Sequence, residues 1–333
     1  MQALTAKVQT IANTETTSND LLAAFINSLD VSQKTRETYT RALKQYALYL
    51  QGLNLGVLNA TRQTVLDYKQ ALIDTNKKPA TINAYLSAVK QLYKALESEG
   101  IMPNICANLK GLKRAKQSSK DALTLSQAKK ILNDKPANKN DVQALRDYAM
   151  INLLLRRGLR TIEIMRANIE DIRQINGRAV LYIQGKGYTE KNDFVILSEE
   201  CLAPIYDYLA ARGNVKMNEP LFAGIGNRNK GGRLTTRAIS KTVKTMLQKH
   251  GINSPAITAH SLRHTAITLA LLNNAKLQDV QAFARHANIQ TTLIYAHNLN
   301  RLNASAESAI DAILRDSKEP VEPINSNQQT SAA

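Results

Sequence analysis

The stretch AHSLRHTAITLA, residues 259–270, crowds His260, Arg263 and His264 into five positions. The chain has only five histidines, so two within one helical turn ask for a chemical reason. Leu262, Ala266, Leu269 and Ala270 recur at helical spacing, so the cationic donors head an apolar helix. His260 and His264, four apart, have a spacing that can bind zinc. However, Ser261 stands where an HExxH metalloprotease helix has its Glu, and no third ligand is near in sequence. His260 and Arg263 share a helical face and can address one anion, of which a phosphate fits best.

Three further stretches carry candidate chemistry, each beside a plainer reading. In RRGLRTIEI, Arg160 follows Gly158 and opens a helix. Free N–H groups and a guanidinium fork would match phosphate oxygens there, although taken alone a solvated surface arginine is the plainer reading. In QGKGYTEK, Lys186 lies between Gly185 and Gly187. It is either a solvated hairpin tip or, with a lowered pKa, a proton donor to a leaving oxygen. In ARHANIQTTLIYAH, His286 precedes Tyr295. That spacing means nothing alone, and a tyrosine in an apolar run is usually core.

Helical elements must position these groups. Apolar periodicity predicts helices at 21–30, 32–51, 61–74 and 79–100, enough for a compact bundle. Thr61 is the expected N-cap of the third, and Pro79 and Gly100 the start and end of the fourth. Tyr39, Ala42, Leu43, Tyr46, Leu48 and Tyr49 fall near one face of the second. A second region begins near Leu123, with a helix at 141–158 closed by Gly158 and a short helical stretch at 160–172. The period then changes, and Val180–Ile183 and Phe194–Leu197 read as strands of a small antiparallel sheet whose hairpin bears Lys186. Helices follow to about Asp316, the last with Leu302, Ala306, Ile310 and Ile313 on one stripe and Leu314 beside it. The expected organisation is a flexible N-terminus at 1–19, a helical domain at 20–108, a basic linker at 109–122, a mainly helical domain with the sheet at 123–316, and a disordered polar tail at 317–333.

Bulk properties point to a polyanion partner. The 333 residues hold 44 Lys and Arg against 27 Asp and Glu, a net charge of +17. An anionic membrane surface would want an amphipathic helix rich in Trp or Phe, but the chain has no Trp and four Phe. Nucleic acid is the better fit. Lys110, Lys113, Arg114, Lys116 and Lys120 form an acid-free run that is either a solvated linker or a track for a phosphate backbone. No signal peptide or membrane span is expected. Cys106 and Cys201, with no CxxC, fit a reducing cytoplasm.

Taken in order, GLRTIE, GKG, HSLRHT and RHANIQTTLIY resemble the boxes of the tyrosine recombinases, the phage-integrase family, and the bundle at 20–100 resembles that family's SAM-like core-binding domain. The resemblance covers about residues 20–315. It implies that Tyr295 attacks a scissile phosphate to form a 3′-phosphotyrosyl link, which stores the bond energy without metal, ATP or other cofactor. It implies that Arg160 and Arg263 clamp the non-bridging oxygens, that Lys186 is the general acid for the leaving 5′-hydroxyl, that His260 accepts the tyrosyl proton and that His286 is a further phosphate donor. Glu163 and His264 take supporting roles, the first orienting its neighbours and the second holding backbone. Arg157 replaces the Thr of the family's Thr-Gly-Leu-Arg, and Ala284-Arg285-His286 stands for its Leu-Gly-His. Arg285 is expected in a left-handed conformation with its side chain on DNA. The resemblance is to simple two-domain members of the Xer or Cre type, acting as a homotetramer on paired DNA half-sites at the nucleoid, with an accessory protein or second recombinase possible. A type IB topoisomerase and an inactive DNA-binding protein are the alternatives.

Overall fold

The computed structural model describes residues 18–113, 121–185, 187–303 and 306–316. The expected flexible N-terminus, apart from its last residues, and the whole expected disordered tail lie outside them, as do Arg114, Lys116, Lys120 and Lys186. The chain forms two compact units divided at residues 118/119.

Among the described residues the first unit has four α-helices, α1 (Ser18–Ser28), α2 (Gln33–Gly52), α3 (Arg62–Asp74) and α4 (Pro79–Ser98). Local signals set their limits. The Ser32 and Thr61 hydroxyls accept the N3 amides of α2 and α3, and Pro79 opens α4 where its missing N–H costs nothing. Leu43, Tyr46 and Leu50 of α2 meet Val65, Tyr68 and Leu72 of α3 and Ile82, Leu86, Val89 and Leu92 of α4 in one buried cluster. Leu48 departs from the predicted face and is exposed. The Tyr46 and Tyr93 hydroxyls bond at 2.9 Å, and that of Tyr93 also donates to the Val57 carbonyl, so the core absorbs two phenols with their polar ends satisfied.

Chain expected to be linker begins inside this unit. Asn83 of α4 holds Leu112 by two bonds, accepting from its N–H at 2.7 Å and donating to its carbonyl at 2.9 Å. Lys69 and Lys90 donate to the carbonyls of Lys110 and Leu109. Residues 109–112 are therefore strapped to the bundle. The side chains of Lys110 and Lys113 remain exposed.

The second unit is built around α6 (Val142–Arg157), which follows α5 (Leu125–Asn133). Residues 148–155 of α6 are all buried, so this helix is a core element enclosed on most sides. It packs on α8 (Glu199–Arg212) and α10 (Ala259–Leu272). Gly158 ends it at φ +58°, as the sequence predicts. The stretch 160–172 is not one helix. It divides into α7 (Thr161–Arg166), a 3-10 turn at Ile169–Asp171 and the start of a strand. Asp171 accepts the Asn168 N–H at 2.6 Å, which caps the turn and starts the chain in a new direction. The sheet has three antiparallel strands, β1 (Ile172–Ile175), β2 (Arg178–Ile183) and β3 (Asp193–Ile196), in that order, of which β1 is unforeseen. Helices α9 (Thr236–Lys249), α11 (Leu277–Ala284), α12 (Ile289–Asn303) and α13 (Ala306–Asp316) complete the unit. Both cysteines are buried and free. Among the described residues no helix is long and apolar enough to cross a membrane.

Candidate active site

The site gathers where α6, α10 and α11 end or begin. Arg160 is the N-cap of α7. Glu163, one turn later, reaches back to it twice, accepting from its backbone N–H at 2.7 Å and from its guanidinium at 2.7 Å. The carboxylate is fully buried, whereas the Arg160 side chain keeps 27% of its surface open. The guanidinium is thus fixed without being removed from solvent.

Arg285 binds the other side of the same carboxylate, at 2.9 Å. It has the left-handed backbone predicted for it, φ +52°. Its N–H and that of His286 close on the carbonyls of Ala282 and Gln281 at 3.0 and 3.1 Å, a Schellman end to α11. Expected to reach DNA, the side chain lines a cleft beside Arg160 and spends most of its donors within the protein. The guanidinium is 8% exposed and also donates to the carbonyls of Phe283 and Gly158. The turn directs it inward because Glu163 would otherwise be a buried carboxylate with a single partner. Burial pushes the Glu163 carboxyl up, but Arg285 and then Arg160 outweigh it and hold the pKa below its ordinary value.

Arg263 lies beneath these groups. It is 1% exposed, with one arm donating to the Gly158 carbonyl at 2.5 Å and the other to the Ala284 carbonyl. It joins the ends of α6 and α11. His260, expected on the same face, is exposed instead. Burial first, then Arg160 and Arg285, push the Arg263 pKa down to about 9, which leaves it charged at neutral pH.

Tyr295, in the middle of α12, is half-buried against Ile267, Val280 and Ala284. Its ring lies 5.1 Å from that of His264 and 6.2 Å from that of His286, the latter nearly parallel. His264 in turn meets His260 edge-on at 4.6 Å. Four aromatic rings from two boxes of the sequence therefore form one chain. Burial raises the Tyr295 pKa, and Arg263 and Arg160 oppose the rise. The His286 pKa falls to about 4, through burial and then the fields of Arg263, Arg160 and Arg285, so its imidazole is neutral at pH 7. Its Nδ1 bonds the buried Thr292 hydroxyl at 2.9 Å.

Two open clefts meet at Arg160. One of about 580 Å³ is lined by Arg160, Gly185, Tyr188, Arg285 and His286. The other, of about 540 Å³, is lined by Arg160, Thr161, Ser240, Lys244, Thr258 and His260. Lys244 and Thr292 were not singled out by sequence. No motif marks Lys244, and Thr292 is one of two adjacent threonines whose burial only the fold decides. Arg157, standing for the family's Thr, bonds Ser198 at the start of α8 and lies outside this group. Among the described residues no cluster of three or more His, Cys, Asp or Glu has metal-holding geometry.

Residues 121–301 match the phage integrase family, and residues 19–100 match the phage integrase N-terminal SAM-like domain. The chain belongs to the phage integrase family. A tyrosine recombinase of Synechocystis is 30% identical over 85% of this chain and 92% of its own. The tyrosine recombinase XerD of Rhizobium meliloti is 28% identical over 84% and 92%. Among solved structures, the XerH site-specific recombinase in a post-cleavage complex with its difH substrate shares the fold at TM-score 0.70, with 21% identity over 87% of this chain and 85% of that one. A lambda integrase dimer bound to a core site follows at TM-score 0.64 and 16% identity, over 83% and 76%. The chain is therefore a tyrosine recombinase, an enzyme of site-specific recombination that cleaves and rejoins DNA strands.

Proposed function

We propose that Tyr295 is the nucleophile and that Arg160 and Arg263 supply the fixed positive charge for the scissile phosphate. The carrying observation is the position of Tyr295, half-buried between the rings of His264 and His286 and within the fields of Arg263 and Arg160. In the cleavage step the Tyr295 oxygen bonds to phosphorus, the bond from phosphorus to the 5′-oxygen breaks, and that oxygen takes a proton from Lys186. His260 receives the tyrosyl proton, and the His264 ring lies between it and Tyr295. His286, bonded through Nδ1 to the Thr292 hydroxyl, presents its other ring nitrogen, Nε2, to a phosphate oxygen. Two bonds from Arg263 to backbone carbonyls fix its guanidinium, so its charge stands beside the phosphate site without moving. The charge is built into the fold, so little reorganisation is needed as the pentacoordinate transition state forms.

The partner is double-stranded DNA with paired half-sites, bound by a homotetramer. XerH bound to its difH substrate and a lambda integrase dimer bound to a core site support DNA as the partner, as do the exposed Lys110 and Lys113. Ile310 and Ile313 of α13 are 54% and 71% exposed, which fits docking of this helix on a neighbouring subunit. The test begins with random-sequence duplexes captured by the protein. The selected site is then rebuilt with a nick that traps the cleaved strand. The wild-type chain forms a covalent adduct, and Tyr295→Phe binds the same duplex without forming one. An adduct from Tyr295→Phe would assign the nucleophile elsewhere.

A further inference from the structure

Arg285 occupies a backbone position that favours glycine. Its φ of +52° costs an L-residue about 1 kcal/mol, and the Schellman bonds that end α11 need no side chain. The destination of the side chain supplies the reason for arginine. One arm donates to Glu163 at 2.9 Å and to the Gly158 carbonyl at 3.2 Å, and the other to the Phe283 carbonyl at 2.8 Å. Arg160 binds the opposite oxygen of the same carboxylate.

The charges then decide what this arrangement does. Arg160 and Glu163 alone form a pair with no net charge. Seen from a phosphate a few ångströms beyond Arg160, much of the attraction of its guanidinium would be cancelled by the carboxylate behind it. A second guanidinium on that carboxylate leaves the cluster at +1 while Glu163 still holds Arg160 at 2.7 Å from both its backbone and its side chain. We propose that Arg285 is a positioning residue that balances the charge of Glu163, so that Glu163 orients Arg160 without cancelling the field Arg160 presents to the scissile phosphate. This rests on the reading of Arg160 as a phosphate-binding group. Arg285 also contributes to the depressed pKa of His286, so its field extends across the site.

The experiment measures single-turnover adduct formation by the full chain on the selected, nicked duplex, with duplex binding and thermal melting recorded for every variant. Arg285→Met keeps the aliphatic stem and removes the charge. It is expected to bind the duplex nearly as well as wild type and to cleave about 10- to 100-fold more slowly, on the scale of losing a group that orients a metal ligand. Arg285→Lys should recover most of that loss. The decisive comparison adds Glu163→Gln to Arg285→Met. If Arg285 works by balancing charge, the double variant cleaves faster than Arg285→Met alone. If Arg285 only props up the fold, the two defects accumulate and the double variant is slower. Wild-type cleavage by Arg285→Met, or a double variant slower than Arg285→Met, overturns the proposal. Where Arg285→Met melts too low to assay, Arg285→Lys is compared with Arg285→Gln, which keeps polarity without charge, and equal rates overturn the proposal. Tyr295→Phe and Arg160→Ala are run beside them. If Tyr295→Phe forms adduct or Arg160→Ala cleaves normally, the underlying functional reading fails. If both are inactive while Arg285→Met is normal, only the Arg285 proposal falls.

Discussion

Replacing Glu163 by Gln should lower the melting temperature of the catalytic unit, and the structure sets the size. The carboxylate has no exposed side-chain surface, and its partners Arg285 and Arg160 are 8% and 27% exposed. Removing one member of a buried ion pair costs about 3–5 kcal/mol, chiefly because the remaining charge stays buried without its partner. The amide oxygen of Gln still accepts a hydrogen bond and Arg160 can turn to water, so the lower figure applies, about 3 kcal/mol. A unit of this size loses about 2–4 °C per kcal/mol, so the expected drop is about 6–12 °C. The pH dependence provides a second reading of the same term. The folded pKa of Glu163 lies below its ordinary 4.5, so its stabilisation is complete above that value and disappears as pH falls through the folded pKa. The gap between wild type and Glu163→Gln should therefore be full at pH 7 and narrow below pH 4.5. Differential scanning calorimetry across that range is the assay. Equal melting temperatures at pH 7, or a gap that does not change with pH, would refute the reasoning that a buried carboxylate joins the two arginines.

Gly158→Ala should destabilise the unit by about 1–2 kcal/mol in urea, since its φ is +58° and an added Cβ would meet Phe283 at 3.2 Å; no change would mean that the turn relaxes freely. Arg263→Ala should lose both cleavage and stability, because its two arms join the ends of α6 and α11, whereas Tyr295→Phe should keep its melting temperature; a fully stable Arg263→Ala in a melting scan would contradict the buried bridge. Neutralising Lys110, Lys113, Arg114, Lys116 and Lys120 should lower the slope of log affinity against log salt by about 4–5 if each meets a phosphate, and an unchanged slope would leave them as solvated charges. A chain ending at Asn303 should fill one half-site normally in a gel-shift titration and lose cooperative filling of the second; recombination at the full rate would rule out docking of α13 on a neighbour.

What could be read from the sequence was local. Thr61, Pro79 and Gly158 mark helix limits through bonds within a few residues of themselves, and the structure places each where its chemistry predicts. The left-handed Arg285 belongs with them, since its backbone is set by the end of its own helix. The direction of its side chain was not legible, because it depends on Glu163, which is distant in sequence. On local terms Arg285→Gly should stabilise the fold by relieving about 1 kcal/mol of strain. The ion pair it would break is worth more, up to about 3 kcal/mol, so the expected sign reverses. Strand β1 was missed for a similar reason. Four residues, IRQI, carry too little alternation to outweigh the helical pattern before them, and the break depends on Asp171 capping Asn168. The ring chain from His260 to Tyr295 required α10 and α12 to be brought together, which no spacing within one box discloses.

The two helix ends that meet at Arg263 have a further electrostatic meaning. Helices α6 and α11 both finish at the site, and a helix C-terminus carries roughly half a negative charge on its last carbonyls. An anion approaching these bare ends would be repelled. Arg263 takes the Gly158 and Ala284 carbonyls, and Arg285 takes those of Gly158 and Phe283. The two guanidiniums thus offset the negative ends of α6 and α11. Lysine in either place would keep the formal charge, but a single ammonium lacks the rigid fork that covers two separated carbonyls. At Arg263, whose two arms take carbonyls from two different helix ends, part of the helix-end field would then face the phosphate again, whereas at Arg285 the retained charge is what matters most.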